Sequence, residues 1–287
     1  MTYRTPKAMR MALERRLRAR SEETGVVLDR LRRRVLLERI VARLAAAEPG
    51  RWVLKGGMAL EIRLRDAARL TKDIDLGLRD DLVDAAELHD RLIEALGTDQ
   101  DGDGFVIMPG PPTPLREDGS GYLTWRVRVS AQLANKPFGG THLDVSPRPH
   151  ELDLTDRVAM PNTLDFAGIP ATVIEIIDVH RHAAEKLHAM CRDFGDRENT
   201  RVRDLADLVI LIEHDLLEPA RLVAAVRWVW DERDALAPPA TLPPLPQSWP
   251  DRYRRLAADH DLHARSFATA VALVRRLWAD MFPTQEI

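Results

Sequence analysis

Apolar residues recur along the chain with two different periods, and the switches between them mark the elements. From Gly25 to Ala47 the residues Leu28, Leu31, Val35, Leu36, Ile40, Val41 and Leu44 fall at steps of three and four. That spacing predicts a helix with one buried face, ended by Pro49-Gly50. Trp52 to Leu54 reads as a short strand, Lys55-Gly56-Gly57 as a corner, and Met58 to about Arg65 as a helix. Past a basic loop, a second strand carries Asp73-Ile74-Asp75. There Ile74 and Leu76 face the core while both carboxylates leave the opposite face. Asp80 or Asp81 is the expected cap of a helix through Leu96, with Leu82, Leu88, Leu92, Ile93 and Leu96 as its stripe.

Strand periodicity then takes over. Phe105 to Met108 is a short strand, Pro109 to Pro114 a proline-rich turn, and a long alternating strand follows. Tyr122, Thr124, Arg126, Arg128 and Ser130 share one of its faces; Leu123, Trp125, Val127 and Val129 share the other. The face bearing Arg126 and Arg128 either meets solvent, the default, or lines a nucleic-acid groove. Thr141 to Val145 reads as the neighbouring strand and carries Asp144 outward between Leu143 and Val145. The second half is mainly helical: Asp178 caps a helix through about Arg192, and Thr200 to His214 forms the next. Pro238 to Pro250 reads as a stiff connector. A final helix, about Asp259 to Asp280, packs through Phe267, Val271, Val274, Leu277 and Trp278.

At 287 residues the chain has room for one large or two modest domains, and 45% apolar with 30% charged residues is the composition of an ordinary globular protein. No stretch is apolar for long enough to span a membrane, and arginines scattered through the first residues do not make a secretory signal. The single cysteine, Cys191, cannot close an internal disulfide, so the expected compartment is the reducing cytoplasm. The net charge of −3 is unevenly spread: residues 1–48 carry thirteen Lys or Arg against six acids, residues 73–118 three against thirteen. Two readings stand for the basic arm, a surface for a polyanion or, through Arg30, Arg32, Arg33, Arg34 and Arg43, the wet face of a helix.

Two aspartates on one strand face repel each other unless a cation lies between them, and glycines at a helix mouth leave backbone N–H groups open to phosphate. Asp73, Asp75 and the corner together suggest a seat for Mg²⁺ and a nucleoside triphosphate. The nearby run from Asp99 to Gly104 imitates a calcium loop, but its twelfth position is Gly110 where a glutamate is needed, so it reads as a solvated turn. His180, His182 and His188 do not have the spacing of a closed zinc set. On the helix after Thr200, Arg203 and Asp207 are spaced for an intrahelical ion pair.

The segments KGGMALEIRL (55–64) and RLTKDIDLGL (69–78) resemble the signature of the nucleotidyltransferase superfamily, and more closely the AbiEii-like toxins, MenT type included, of bacterial toxin–antitoxin pairs. The likeness continues through THLDVS at Thr141, AEKLHAM at Ala184 and TRVRDLADL at Thr200. Met58 departs from it, standing where a small hydroxyl residue is common. The resemblance implies an α+β fold. A mixed sheet flanked by helices, with basic N-terminal helices, would occupy residues 1–165; a helical lobe with a proline-rich connector at 237–250 would occupy 166–287. It implies Asp73, Asp75 and Asp144 as ligands of Mg²⁺, two ions being expected, and Lys186, Asp204 and Asp207 as further catalytic residues. Lys55, Gly56, Gly57, Lys186 and Arg203 would bind the NTP, with Asp204 or Asp207 orienting Lys186. The implied reaction is NMP transfer to the 3′ end of tRNA, which would block charging and translation. A neighbouring gene would encode the antitoxin. Thr71, two residues before Asp73, reads either as a loop hydroxyl that caps or solvates or as a site where regulatory phosphorylation would obstruct NTP binding. The alternatives are a small-molecule nucleotidyltransferase and a non-catalytic nucleotide or RNA binder.

Overall fold

The computed structural model describes residues 3, 5–64, 73–81, 84–115 and 123–283. They fall into two compact units, one containing residues 5–63 and 73–177, the other residues 178–283. The division at 177/178 corrects the expected one at 165/166. Two unforeseen strands cause the difference: β7 (Thr155–Ala159) and β8 (Val173–Ile177) pair with each other, and β8 joins the sheet of the first unit.

In that unit, α1 (Pro6–Thr24) is capped by Thr5, and α2 (Leu28–Ala47) buries Val35, Leu36, Ile40, Val41 and Leu44 as its periodicity requires. After β1 (Trp52–Lys55) come α3 (Gly56–Leu64), β2 (Ile74–Leu78) and α4 (Ala85–Gly97). The diglycine is thus the first turn of α3 rather than a corner ahead of it. The cap of α4 is Asp84, which accepts from the N–H groups of Ala86 and Glu87. Asp80 instead pairs with Arg51 and Arg91. Leu88, Leu92 and Leu96 are buried, but Ile93 is 48% exposed and leaves the expected stripe.

The sheet continues with β3 (Phe105–Pro109), the two-residue β4 (Thr113–Pro114), β5 (Trp125–Leu133) and β6 (Lys136–Pro147). Its strand order is β3-β5-β6-β2-β1-β8-β7, with β4 on β5. The β2/β6 and β1/β8 pairs are parallel and the others antiparallel. The mixed pattern puts β2 and β6, far apart in sequence, side by side at its centre.

The second unit holds α5 (Val179–Cys191), α6 (Val202–Glu213), α7 (Pro219–Asp234), α8 (Trp249–Asp259) and α9 (Phe267–Met281). Here α9 is the expected late helix, starting at Phe267 rather than at about Asp259, while α7 and α8 were not foreseen. Trp249 and Pro250 belong to α8, because proline is tolerated in a first helical turn. In α9 the buried positions are Ala270, Val274, Trp278 and Met281. Cys191 closes α5 with its thiol pushed up to about 12 by burial, which keeps it un-ionised. Among the described residues no helix is long and apolar enough to cross a membrane.

Candidate active site

Sheet register builds the carboxylate row of the first unit. Asp75 on β2 is the partner of Lys55 on β1 and of Asp144 on β6, and Asp144 is in turn the partner of Arg126 on β5. Register partners project from the same face, so Lys55, Asp75, Asp144 and Arg126 make one row across four strands with charges in the order plus, minus, minus, plus. The apolar row beside it, Ile74, Leu143 and Val127, is fully buried on the other face. Asp73, just ahead of β2, adds a third carboxylate and lies 3.5 Å from His142 Nδ1, the histidine paired in register with Arg128.

Gly56 sets how closely α3 approaches this row. Its φ is +58°, and a Cβ placed there would lie 1.8 Å from Asp75 Oδ2. Only glycine leaves the room that the Asp75 carboxylate occupies. The phosphate-seat role expected of the Gly56-Gly57 pair remains an assignment from sequence; what the geometry adds is that Gly56 makes space for an acid.

Asp144 is held by Arg126, a contact the sequence did not reveal and one that overturns the solvent reading for this arginine. The guanidinium donates from Nε to Oδ1 at 2.8 Å and from Nη2 to Oδ2 at 2.6 Å, a bidentate fork. The hydrogen bond to Asp144 and the charges of Asp144, Asp73 and Asp75 hold the Arg126 pKa above its ordinary value against the opposing effect of burial. Asp73, Asp75 and Asp144 do not each bring an oxygen within 4.8 Å of the others. The donor chemistry nonetheless fits a hard divalent cation: every candidate ligand is a carboxylate, and Asp75 sits in the space that a side chain at position 56 would fill. Arg126→Met, which removes the fork and keeps the apolar stem, is expected to increase Mn²⁺ affinity about tenfold in a calorimetric titration, since it frees Asp144 for the ion.

The second unit carries the other expected group. Lys186 on α5 is buried and donates to Asp204 at 3.0 Å and to Asp207 at 2.7 Å, both on α6. Both acids therefore position it, where the sequence left the choice open. The Asp207 side chain is 0% exposed and that of Asp204 14%. Asp207→Ala is expected to lower stability by about 3 kcal/mol in urea unfolding, because a buried ammonium is left without its fully desolvated partner. Asp204→Ala should cost clearly less. Asp207 being taken by Lys186, the Arg203–Asp207 ion pair does not form; among the described residues Arg203 makes no ion pair. Of the three histidines, His180 accepts from the Glu218 N–H at 3.0 Å and His188 bonds Asp234 at 2.8 Å, so both are tied into the helical packing.

Other expected residues are engaged differently. Lys55 Nζ donates to Glu151 at 2.8 Å, an acid that also accepts from Arg148. The Asp99–Gly104 run is not a solvated turn: Asp103 is 2% exposed and receives Arg43 at 2.9 Å and Arg39 at 3.0 Å, while Asp101 pairs with Arg39. Burial raises the Asp103 pKa and the Arg43 charge opposes it. Arg43 is thereby removed from the wet face assigned to it. Thr71 lies outside the described residues. His142 was missed; its signal was its place two residues before Asp144, on the same strand face.

A mixed sheet carrying carboxylates on adjacent central strands is the core of a nucleotidyltransferase-like enzyme. The model of the family described as nucleotidyl transferase AbiEii toxin, type IV toxin–antitoxin system, matches residues 39–276, and the chain belongs to that family. It is therefore a nucleotidyltransferase toxin, of a class that uses an NTP and a divalent cation, and membership implies a cognate antitoxin. The fold is similar to that of the nucleotidyltransferase toxin MenT4 from Mycobacterium tuberculosis H37Rv, with a TM-score of 0.57 and 19% identity over 96% of this chain and 90% of that one. The Megavirus polyadenylate synthase aligns at a TM-score of 0.38 and 13% identity over 74% of this chain and 36% of that one. A nucleotidyltransferase-like protein from Paracoccidioides brasiliensis aligns at 0.39 and 16% over 71% and 90%. No curated protein matches the chain in sequence.

Proposed function

We propose that the chain transfers NMP from an NTP to the 3′ end of tRNA and so blocks aminoacylation and translation. The observation that carries the chemistry is the register of Asp75 with Asp144, beside the glycine that leaves room for the first of them. In the reaction the acceptor 3′-hydroxyl loses its proton to solvent as its oxygen bonds the α-phosphorus, the bond to the bridging oxygen breaks, and pyrophosphate leaves. Asp73 and Asp75 would hold Mg²⁺, and Asp144, once Arg126 releases it, would complete a two-ion site. Divalent cations supply charge neutralisation at the entering and leaving oxygens. The N–H groups of Gly56 and Gly57 would receive phosphate, and Lys186, fixed by Asp204 and Asp207, would offset triphosphate charge together with Arg203. Lys55, on leaving Glu151, would add its charge on the first unit beside Asp75.

The tRNA acceptor is supported by family membership and by the toxin function that it implies. Incubating the protein with Mg²⁺, each of the four labelled NTPs and total tRNA tests it. Label is expected on the tRNA 3′ end; label confined to small molecules would replace the reading with an antibiotic-type nucleotidyltransferase. No label anywhere, with toxicity intact in Asp73→Ala, would leave a non-catalytic binder. The antitoxin would phosphorylate Thr71, and intact-mass measurement after coexpression checks that step.

A further inference from the structure

The second unit contains a cleft of about 890 Å³ whose walls are the segment after α5, the start of α6 and one face of α8. Five arginines line it: Arg197, Arg201, Arg203, Arg252 and Arg255. All five are exposed, and among the described residues none of them forms an ion pair. Elsewhere the chain pairs its arginines readily, as Arg39, Arg43, Arg79, Arg91 and Arg126 show. The same walls set three acids, Glu198, Asp204 and Asp259, against five guanidinium groups, and Asp204 already accepts from Lys186. In a chain of net charge −3, this is a local excess of unpaired positive charge.

The walls are firmly tied down. Asn199 Nδ2 donates to the carbonyls of Ala189, Met190 and Arg192 at 3.0, 3.0 and 3.1 Å, fastening the arginine-bearing segment to the end of α5. The fully buried Trp249, at the start of α8, donates its indole N–H to the Asn199 carbonyl at 2.7 Å. The half-buried ring of Phe194 stands among the arginines, with the Arg192 guanidinium 5.5 Å from its centroid.

We infer that this cleft binds the phosphodiester backbone of single-stranded RNA, with Phe194 as a stacking surface for a base. Guanidinium forks match phosphate oxygens two at a time, and an aromatic face between basic side chains is how proteins hold unpaired nucleotides without reading their sequence. A free triphosphate offers the same chemistry, but it has no use for five cations spread over three segments. One wall of the cleft is Asp204, the partner of Lys186, so a strand lying here would run beside the residues assigned to the nucleotide. The inference rests on the proposed RNA acceptor and says where in the second unit that acceptor is gripped.

Fluorescence anisotropy of the full chain with a labelled single-stranded RNA ending in CCA tests it, over a range of salt concentrations. Arg201→Glu/Arg252→Glu is expected to weaken binding at least tenfold and to reduce the slope of log affinity against log salt by about 1.4, near 0.7 for each phosphate that is no longer neutralised. Phe194→Ala should weaken it about tenfold with the slope unchanged. Arg227→Glu/Arg275→Glu, an equal charge change on exposed arginines of α7 and α9, should have little effect. Nucleotide titration of the same variants is the second arm and should match the wild type.

Equal RNA affinity in the two double variants overturns the inference, as does absence of RNA binding by the wild type. Loss of nucleotide binding with RNA binding retained also overturns it, since the cleft would then seat a free triphosphate. If the wild type binds RNA through these residues yet labels only small molecules, the acceptor reading fails while the cleft stands. If it labels tRNA and the cleft variants do so with an unchanged KM, the inference alone fails.

Discussion

Gly56→Ala is expected to lower nucleotidyl transfer by about 100-fold or more, while Gly97→Ala is silent. The new methyl would lie 1.8 Å from Asp75 Oδ2, 2.5 Å from its carboxyl carbon and 2.9 Å from its Cβ, so the whole side chain, not a flexible tip, must retreat. Restoring ordinary contact needs a shift of more than about 1 Å, and a misplacement of that size at a reacting centre costs roughly 100-fold. The backbone adds a penalty, because φ at position 56 is +58° and alanine there costs about 1–2 kcal/mol. Gly97, at the end of α4, has nothing within 4 Å of its would-be Cβ. Initial rates on tRNA, with circular dichroism and a thermal melt, separate displaced chemistry from lost fold. A Gly56→Ala protein that folds and transfers at the wild-type rate would mean that Asp75 is not placed for the reaction.

Gly56 also illustrates what the sequence could and could not convey. The diglycine and the two aspartates were legible as local patterns, because apolar alternation fixes which strand face is wet. That Gly56 serves Asp75 directly was not legible, since it depends on how α3 packs against β2. Asp144 was expected beside Asp75 from resemblance and lies in register with it, but its bond to Arg126 depends on the order of four strands. Buried Arg39 and Arg43 defeated the polarity rule in the same way: their partner Asp103 is some sixty residues away, and the compensation emerges only when the chain is folded. In the second unit α8 was hidden by its own composition. Trp249, Tyr253 and Ala257 are its only buried residues, at steps of four among polar neighbours and behind a proline-rich stretch. The Val179–Cys191 and Val202–Glu213 helices were legible because a capping aspartate and a dense apolar stripe announce them.

Asp75→Asn should lower transfer by about 100- to 1,000-fold and leave the protein no less stable than the wild type. The amide has the shape of the carboxylate, so the fit against Gly56 and the pairing of β1, β2 and β6 survive. What changes is the charge in the middle of the row. Asp75 and Asp144 are directly opposed on parallel strands, an arrangement that costs roughly 0.2–1 kcal/mol when both are charged. Arg126 offsets the Asp144 side through its fork, and Lys55, in register with Asp75, contributes from the other edge although its ammonium is turned to Glu151. Neutralising Asp75 removes the repulsion, so the thermal midpoint should hold or rise slightly. The same change removes a proposed ligand for the divalent cation, and with it charge neutralisation at the transferring phosphate; a drop of about 100- to 1,000-fold is the scale for removing one such electrostatic contribution. Mn²⁺ titration should show weakened binding in parallel. A site kept for chemistry rather than for stability gives this divergence between melt and rate. If Asp75→Asn instead unfolds the sheet, the carboxylate is structural; if it transfers normally with Mn²⁺ still bound, the cation is held elsewhere and the row of four has another purpose.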